Sequence, residues 1–196
     1  YLIYKLKEAG IYVFLDFLVH RELKQGDGVE NYKTVPRGFK EIIFIDDKLQ
    51  DLTAEYIEKL LEHENKYTKV KYLNEPAIIF SEIVNESSLF YADRNKDLSP
   101  AAIKKLDEKF NEFLKAKYGS EEKLKEAWIK DGCSLQEGES LDKKSVLREQ
   151  FKVNWGSWDT MFEASCNARA SDTKRFYAET EKKFYDKMKN RLKEKG

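Results

Sequence analysis

Two carboxylates and an amide at the end of one apolar run are the residues best placed for catalysis. The run covers residues 77–84 and carries Glu82 inside it, with Asn85 and Glu86 directly after it. Buried strands rarely contain a carboxylate, because an unpaired buried charge costs much free energy. Ligands and catalytic groups collect at the carboxyl ends of parallel strands. Glu86 is therefore a candidate general acid, and capping of the following loop is the alternative.

Three further polar residues lie within or shortly after an earlier apolar run, residues 11–17. His20 and Arg21 follow that run, on the side where a substrate would lie. They are candidate substrate-binding residues, and a surface-loop pair is the alternative. Asp16 lies within the run, where a buried carboxylate needs a partner, so we expect it to form a structural salt bridge.

The composition excludes several functional classes. The chain has 196 residues, 36 basic and 36 acidic side chains, and no apolar run of the roughly 20 residues that span a membrane. The net charge is zero, whereas nucleic-acid-binding proteins usually carry an excess of basic residues. We therefore expect no nucleic-acid and no membrane partner. His20 and His63 are too few and too far apart for a zinc site, no metal or cofactor is implied, and we expect Cys133 and Cys166 to be free thiols.

The first half of the chain alternates helix and strand patterns. Residues 1–9 and 48–64 predict amphipathic helices, while residues 11–17 and 77–84 predict strands that are buried on both faces. Residues 42–45 predict a further short strand. Such alternation is typical of parallel strands joined by crossover helices.

The second half predicts helices. A cap at Ser99 with proline after it begins one helix, which is expected to stop at Gly119, and Ser120 begins a shorter one. Residues 131–140 predict a loop, and residues 172–195 a long helix.

The residues around the candidate acid resemble a known enzyme family. The stretch 76–86, PAIIFSEIVNE, resembles the fourth barrel strand of clan-A glycoside hydrolases, the cellulase-like family 5 and its relatives. The resemblance implies that Glu86 is the general acid/base and that Asn85 contacts the sugar 2-hydroxyl. It also implies a sugar-binding or positioning role for His20 and Arg21. Such enzymes donate a proton from one carboxyl to the leaving oxygen.

Other segments are similar to the same family. They are the KEAGIYV stretch at residues 7–13, residues 21–29, and the KYGS-containing residues 106–128. Ser87 and Ser88 depart from the family pattern, which has Asn-Glu-Asn or Asn-Glu-Pro at this point.

The fold that the resemblance implies is an α/β, partial (β/α)8 TIM barrel. The chain would hold about strands 3 and 4 with their helices, followed by a helical insertion at residues 99–170. We expect residues 1–196 to be a single partial catalytic domain, an internal segment with no complete domain boundary inside it. The family's nucleophile, a glutamate at the end of the seventh strand, would lie outside the chain, so the chain alone is expected to be inactive.

The expected function is retaining hydrolysis of O-glycosidic bonds in a β-linked glycan or glycoside, with a carbohydrate as the partner. Two alternatives stay open. One is a non-catalytic carbohydrate-binding or scaffold protein with a degenerate barrel, and the other is a different TIM-barrel enzyme that uses Glu86 as a base. The aromatic residues Trp155, Trp158 and Phe162 could stack on sugars, and packing of the insertion is the preferred interpretation.

Overall fold

The structure is a computed structural model that describes residues 1–35, 39–91, 98–151 and 166–194. These residues form two compact units, one of Tyr1–Ser87 with Lys183–Gly196 and the other of Ser88–Lys182. Trp155, Trp158 and Phe162 lie outside the described residues.

The first unit contains two strands and two helices in alternating order. They are α1 (Leu2–Glu8), β1 (Val13–Asp16), α2 (Asp47–Glu62) and β2 (Ile78–Glu82). The α2 helix begins one residue before the predicted start, because the carboxylate of Asp46 accepts a hydrogen bond from the Leu49 amide at 3.1 Å. This cap satisfies one of the free amides of the first turn.

The two strands pair in parallel, as the alternating pattern predicts. Val13 is opposite Ile78 and Asp16 is opposite Glu82, with an irregularity just after Val13. Helix α2 lies between the strands in the chain. The predicted pairing of neighbouring parallel strands is therefore confirmed.

The predicted partial (β/α)8 barrel is wrong. The described residues contain five α-helices and one sheet of only two strands, and the structure is 54% helical and 6% strand. A barrel needs strands that continue the sheet on both sides until it closes, and within the part of the chain that the structure describes neither strand has a second neighbour.

The strands are also not buried on both faces. Phe14 is 59% exposed and its partner Phe80 is 65% exposed, so one face of the pair lies open to solvent. The apolar composition predicts strands that are buried on both faces. Such burial requires a layer of other elements on each face. Among the described residues, no such layer covers Phe14 and Phe80.

The predicted short strand at residues 42–45 is a 3₁₀ turn, Ile42–Phe44. Its side chains and that of Ile45 are buried, and the Phe44 ring lies edge-on to Phe184 with centroids 5.2 Å apart. The Gln50 amide donates to the Ile43 carbonyl at 2.9 Å. Apolar composition alone does not separate a buried turn from a buried strand.

The second unit is helical and contains α3 (Pro100–Tyr118), α4 (Glu121–Ile129) and most of α5 (Asn167–Lys193). The predicted caps are confirmed: the Ser99 hydroxyl accepts from the Ala102 amide and the Ser120 hydroxyl from the Lys123 amide, both at 3.3 Å. Helix α5 begins five residues before the predicted start.

Three helices of the second unit meet at a buried carboxylate. Asp172 accepts hydrogen bonds from the Tyr118 hydroxyl at 2.7 Å and from the Trp128 indole at 2.9 Å, and it pairs with the Lys117 ammonium. Its side chain is almost fully buried. A buried charge is tolerated when it is paired and hydrogen-bonded, as here.

The expectation of free thiols is wrong. Cys133 and Cys166 form a disulfide, with their Cα atoms 5.6 Å apart. Their separation of 33 residues in the sequence does not indicate how far apart the two cysteines lie in space. The fold of the second unit, not the spacing, decides that they meet.

Among the described residues, no helix is both long enough and apolar enough to cross a membrane.

Candidate functional site

The carboxyl ends of β1 and β2 lie side by side and hold most of the predicted site residues. The Phe17 amide donates to the Glu82 carbonyl at 2.9 Å, and the Asn85 amide donates to the Leu18 carbonyl at 3.1 Å. These two hydrogen bonds continue the pairing beyond the strands. The segment that carries Asn85 and Glu86 is thus held next to the segment that leads to His20.

An acid pair ends the two strands. Asp16 and Glu82 are opposite one another in the register and are the last residues of their strands. A hydrogen bond with Asp16 raises the pKa of Glu82, and burial and the negative charges of Asp16 and Glu86 act in the same direction. Lys40 opposes this rise in pKa. The pKa of Glu82 is therefore raised chiefly by Asp16, its partner across the register.

Glu86 is exposed and has an unusual backbone conformation. Its φ of 44° lies in the left-handed region, which a residue other than glycine rarely adopts. The chain therefore turns sharply directly after Asn85. Strained backbone of this kind is found more often at functional sites than elsewhere.

His20 and Arg21 lie in a cleft of about 730 Å³ beside the end of β1. The Arg21 guanidinium is already held, because it donates to the Asp27 carboxylate at 2.7 Å and to the Leu52 carbonyl at 3.2 Å. His20 is exposed. The walls of the cleft consist of residues from β1, from the segment after it and from α2: Asp16, Phe17, Leu18, Val19, His20, Arg21, Glu22, Lys24, Thr53 and Tyr56.

The structure thus brings the predicted site residues into one region but not into one cavity. Asp16, His20 and Arg21 line the cleft, whereas Asn85 and Glu86 do not. The charge of Glu86 acts instead on Glu82, at the end of the strand that precedes it, β2.

The sequence analysis missed the partner of Asp16. The predicted salt bridge of Asp16 is not found among the described residues, where Asp16 lies opposite Glu82 and raises the pKa of that carboxyl. The sequence does show a charged residue, Asp16, inside an apolar run. Only the register between the two strands shows that Glu82 lies opposite it. The sequence analysis did not identify Thr53 and Tyr56 as cleft residues, because a spacing of three residues is typical of any amphipathic helix.

The described part of the chain contains no group of three or more histidine, cysteine, aspartate or glutamate side chains able to hold a metal ion. The carboxyls at the strand ends are suited to proton donation, proton acceptance and hydrogen bonding to hydroxyl groups.

Comparison with known proteins gives no match: no protein-family profile, no curated protein and no solved structure is similar to this chain.

Proposed function

We propose that this chain serves in the hydrolysis of O-glycosidic bonds of a β-linked glycan or glycoside. Glu86 would be the general acid/base, and Asn85 would bind the sugar hydroxyl next to the bond that breaks. The observation that supports the proposal is the cluster of carboxyls at the ends of two parallel strands, where Asp16 lies opposite Glu82 and the charges of Asp16 and Glu86 raise the pKa of Glu82. The resemblance of residues 76–86 to the glycoside hydrolase strand assigns the roles within that cluster.

The proposed reaction has two steps. In the first, the carboxyl of Glu86 gives its proton to the glycosidic oxygen while the bond from that oxygen to the anomeric carbon breaks, and a nucleophilic carboxylate bonds to the carbon. In the second, the Glu86 carboxylate takes a proton from water, whose oxygen displaces the nucleophile and releases the sugar. We assign the nucleophile to no carboxylate of this chain.

The neighbouring carboxyls support the same site. The negative charges of Asp16 and Glu86 both raise the pKa of Glu82, so the proposed acid belongs to a group of carboxyls whose charges act on one another.

The proposal is tested by kinetics on the natural protein that contains this chain. Glu86→Gln removes the acid but keeps the shape of the side chain. We expect kcat/KM on a natural β-glycan to fall about 10²- to 10⁴-fold, the usual contribution of a general acid. Dinitrophenyl glycosides need no acid in the first step, so their bond cleavage should fall much less. Azide should then accelerate turnover of the variant and yield a glycosyl azide.

The matched control is Glu30→Gln, an exposed glutamate outside the strand ends. It should leave all rates unchanged. Hydrolysis of natural glycans by Glu86→Gln at the wild-type rate would refute the assignment. We expect the 196-residue chain by itself to show no turnover, because it supplies one of the two carboxyl roles.

One observation favours the second candidate, a non-catalytic carbohydrate-binding protein. Glu86 lies outside the cleft that contains His20 and Tyr56, so binding there does not require the acid. For this function, the natural protein would bind glycans without cleaving them, and Glu86→Gln would leave the affinity unchanged.

A further inference from the structure

Two tyrosine rings of the first unit lie face to face at its surface. Tyr4 belongs to α1 and Tyr67 to the segment after α2, and their rings are nearly parallel, with centroids 5.6 Å apart and an angle of 13° between the planes. Tyr67 is 43% exposed and Tyr4 is half-buried. Tyr1 lies edge-on to Tyr67, with centroids 5.4 Å apart. Phenol rings held this close can react with one another once they are oxidised.

Contacts of the surrounding chain hold both rings in place. The Tyr67 amide donates to the side-chain oxygen of Asn65 at 3.0 Å, and the amide of this buried asparagine donates to the Val70 carbonyl at 2.9 Å. Helix α1 is joined to the same segment through Lys7, whose ammonium pairs with the buried carboxylate of Glu75 at 2.8 Å. The two rings are therefore positioned before any reaction, which lowers the entropic cost of joining them.

A carboxylate lies where it can take the phenolic proton of Tyr4. The Tyr4 hydroxyl donates to Glu8 at 2.6 Å, and the Lys5 ammonium pairs with the same carboxylate at 2.8 Å. The hydrogen bonds from Lys5 and Tyr4 lower the pKa of Glu8, and the hydrogen bond to Glu8 raises the pKa of Tyr4. At neutral pH the phenol therefore keeps its proton and the carboxylate is ionised, as a proton donor and its acceptor must be.

Ammonium groups near both rings make this proton acceptor important. Lys5 lies 5.0 Å from the centroid of the Tyr4 ring, and Lys66 lies 5.0 Å from that of Tyr67. A cation over an aromatic ring is attracted to its electrons, so it disfavours a ring that has lost an electron and kept its proton. Loss of the proton together with the electron avoids that second positive charge. Tyr4, which has Glu8 beside it, is therefore the ring that is oxidised more easily.

We propose that Tyr4 and Tyr67 are a site of oxidative crosslinking, at which hydrogen peroxide acting through a haem peroxidase joins the two rings by a carbon–carbon bond. Each phenol loses one electron and its hydroxyl proton, which passes from Tyr4 to Glu8, and becomes a phenoxyl radical. The radicals couple at carbons ortho to the oxygens. Each of these carbons then loses its hydrogen as a proton, and each oxygen regains one. The two electrons and two protons removed in all reduce one hydrogen peroxide to two waters.

The crosslink ties α1 to the segment after α2. A covalent bond between positions far apart in the sequence stabilises a fold because it restricts the unfolded chain. The product is therefore a chain that resists unfolding better after exposure to peroxide than before it. The inference goes beyond the proposed function and does not rest on it, since neither tyrosine belongs to the strand ends.

The test is oxidation of the full chain, at low protein concentration, by a haem peroxidase and one equivalent of hydrogen peroxide. We expect the fluorescence of dityrosine and a chain that still runs as a monomer on a denaturing gel. After proteolysis, mass spectrometry should find a peptide pair that joins Tyr4 to Tyr67 and lacks two hydrogens. The crosslinked chain should also melt at a higher temperature than the untreated chain.

Conservative variants separate the effect of the pair from that of exposure. Tyr67→Phe keeps the ring and removes the phenol hydroxyl, so dityrosine fluorescence should fall to a small fraction. Glu8→Gln keeps the side-chain shape without the charge, and it should slow crosslinking about tenfold, less than a usual general-base effect because water also accepts protons. The matched control is Tyr12→Phe, since Tyr12 is 67% exposed and takes part in none of the ring contacts given above. It should crosslink as the wild type does.

Three results would overturn the inference. The first is a failure to form dityrosine within the chain, including the case in which only crosslinks between chains appear. The second is a product that joins Tyr1 to Tyr67 in place of Tyr4. The third is equal crosslinking rates of Glu8→Gln and the wild type, because Glu8 would then take no proton from Tyr4.

Discussion

Asp16 and Glu82 lie opposite one another at the last register position of two parallel strands. Each residue alone would be an ordinary charged strand end. In this arrangement Asp16 raises the pKa of Glu82 above its ordinary value.

The first prediction concerns this pair. Asp16→Asn removes one of the two charges and should lower the pKa of Glu82 toward its ordinary value. The folded protein holds the proton of Glu82 more tightly than the unfolded chain does, so stability falls as pH rises from about 4 through the raised pKa. Asp16→Asn should reduce that fall. Carboxyl NMR titration of Glu82 measures the shift.

The control for this prediction is Glu8→Gln, an exposed glutamate that does not act on Glu82. It should leave the titration of Glu82 unchanged. An unaltered pKa of Glu82 in Asp16→Asn would mean that the two carboxyls do not interact.

The second prediction concerns acid stability of the second unit. Hydrogen bonds from Lys125, Ser140 and the Leu141 amide lower the pKa of Glu121 to about 2. The folded state therefore binds this proton less readily than the unfolded state, and the stabilisation is lost as pH falls from about 4 to about 2. Glu121→Gln should be less stable at neutral pH and should lose less stability on acidification.

Denaturation midpoints at pH 7, 4 and 2.5 measure this effect. Glu126→Gln on the same helix, where the side chain is exposed, should follow the wild type at each pH. Parallel pH dependence of Glu121→Gln and the wild type would contradict the prediction.

The third prediction compares a buried with an exposed ion pair. Asp172→Ala removes the acceptor of the Tyr118 hydroxyl and the Trp128 indole, and it should lower the free energy of unfolding by about 3 kcal/mol. Asp142→Ala breaks an exposed pair with Lys115 and should cost less than about 1 kcal/mol. Denaturant titration measures both, and equal costs would show that burial of Asp172 has no energetic consequence.

The fourth prediction concerns the disulfide. Cys133 and Cys166 close a loop of 33 residues, and a crosslink of that length stabilises a fold by about 3–4 kcal/mol through the unfolded chain. Reduction should lower the guanidinium midpoint of the chain by a corresponding amount. The double variant Cys133→Ala, Cys166→Ala should match the reduced protein and should not respond to reductant. A midpoint that reductant leaves unchanged would contradict the prediction.

Local features were predictable because their causes lie within a few residues. The serine caps of α3 and α4 and the stop at Gly119, which has a φ of 79°, follow from short-range hydrogen bonds and backbone sterics. The parallel pairing of β1 and β2 was also predictable, because a helix between two strands leaves few other connections. The start of α2 was displaced by one residue because Asp46, and not Asp47, provides the cap.

The larger architecture was not predictable from these local patterns. The apolar runs at residues 11–17 and 77–84 fit a barrel that would bury both faces, yet Phe14 and Phe80 are exposed. Burial depends on which other elements cover a face, and a strand's own composition does not specify them.

What the sequence by itself determined is therefore the two paired strands, the serine caps of α3 and α4, and the presence of carboxyls at one strand end. The tertiary structure alone decided that Asp16 lies opposite Glu82 and that Cys133 meets Cys166. The physical reason is range. Capping and helix periodicity act over about four residues, whereas a carboxyl pair across two strands and a disulfide depend on groups brought together from distant parts of the chain.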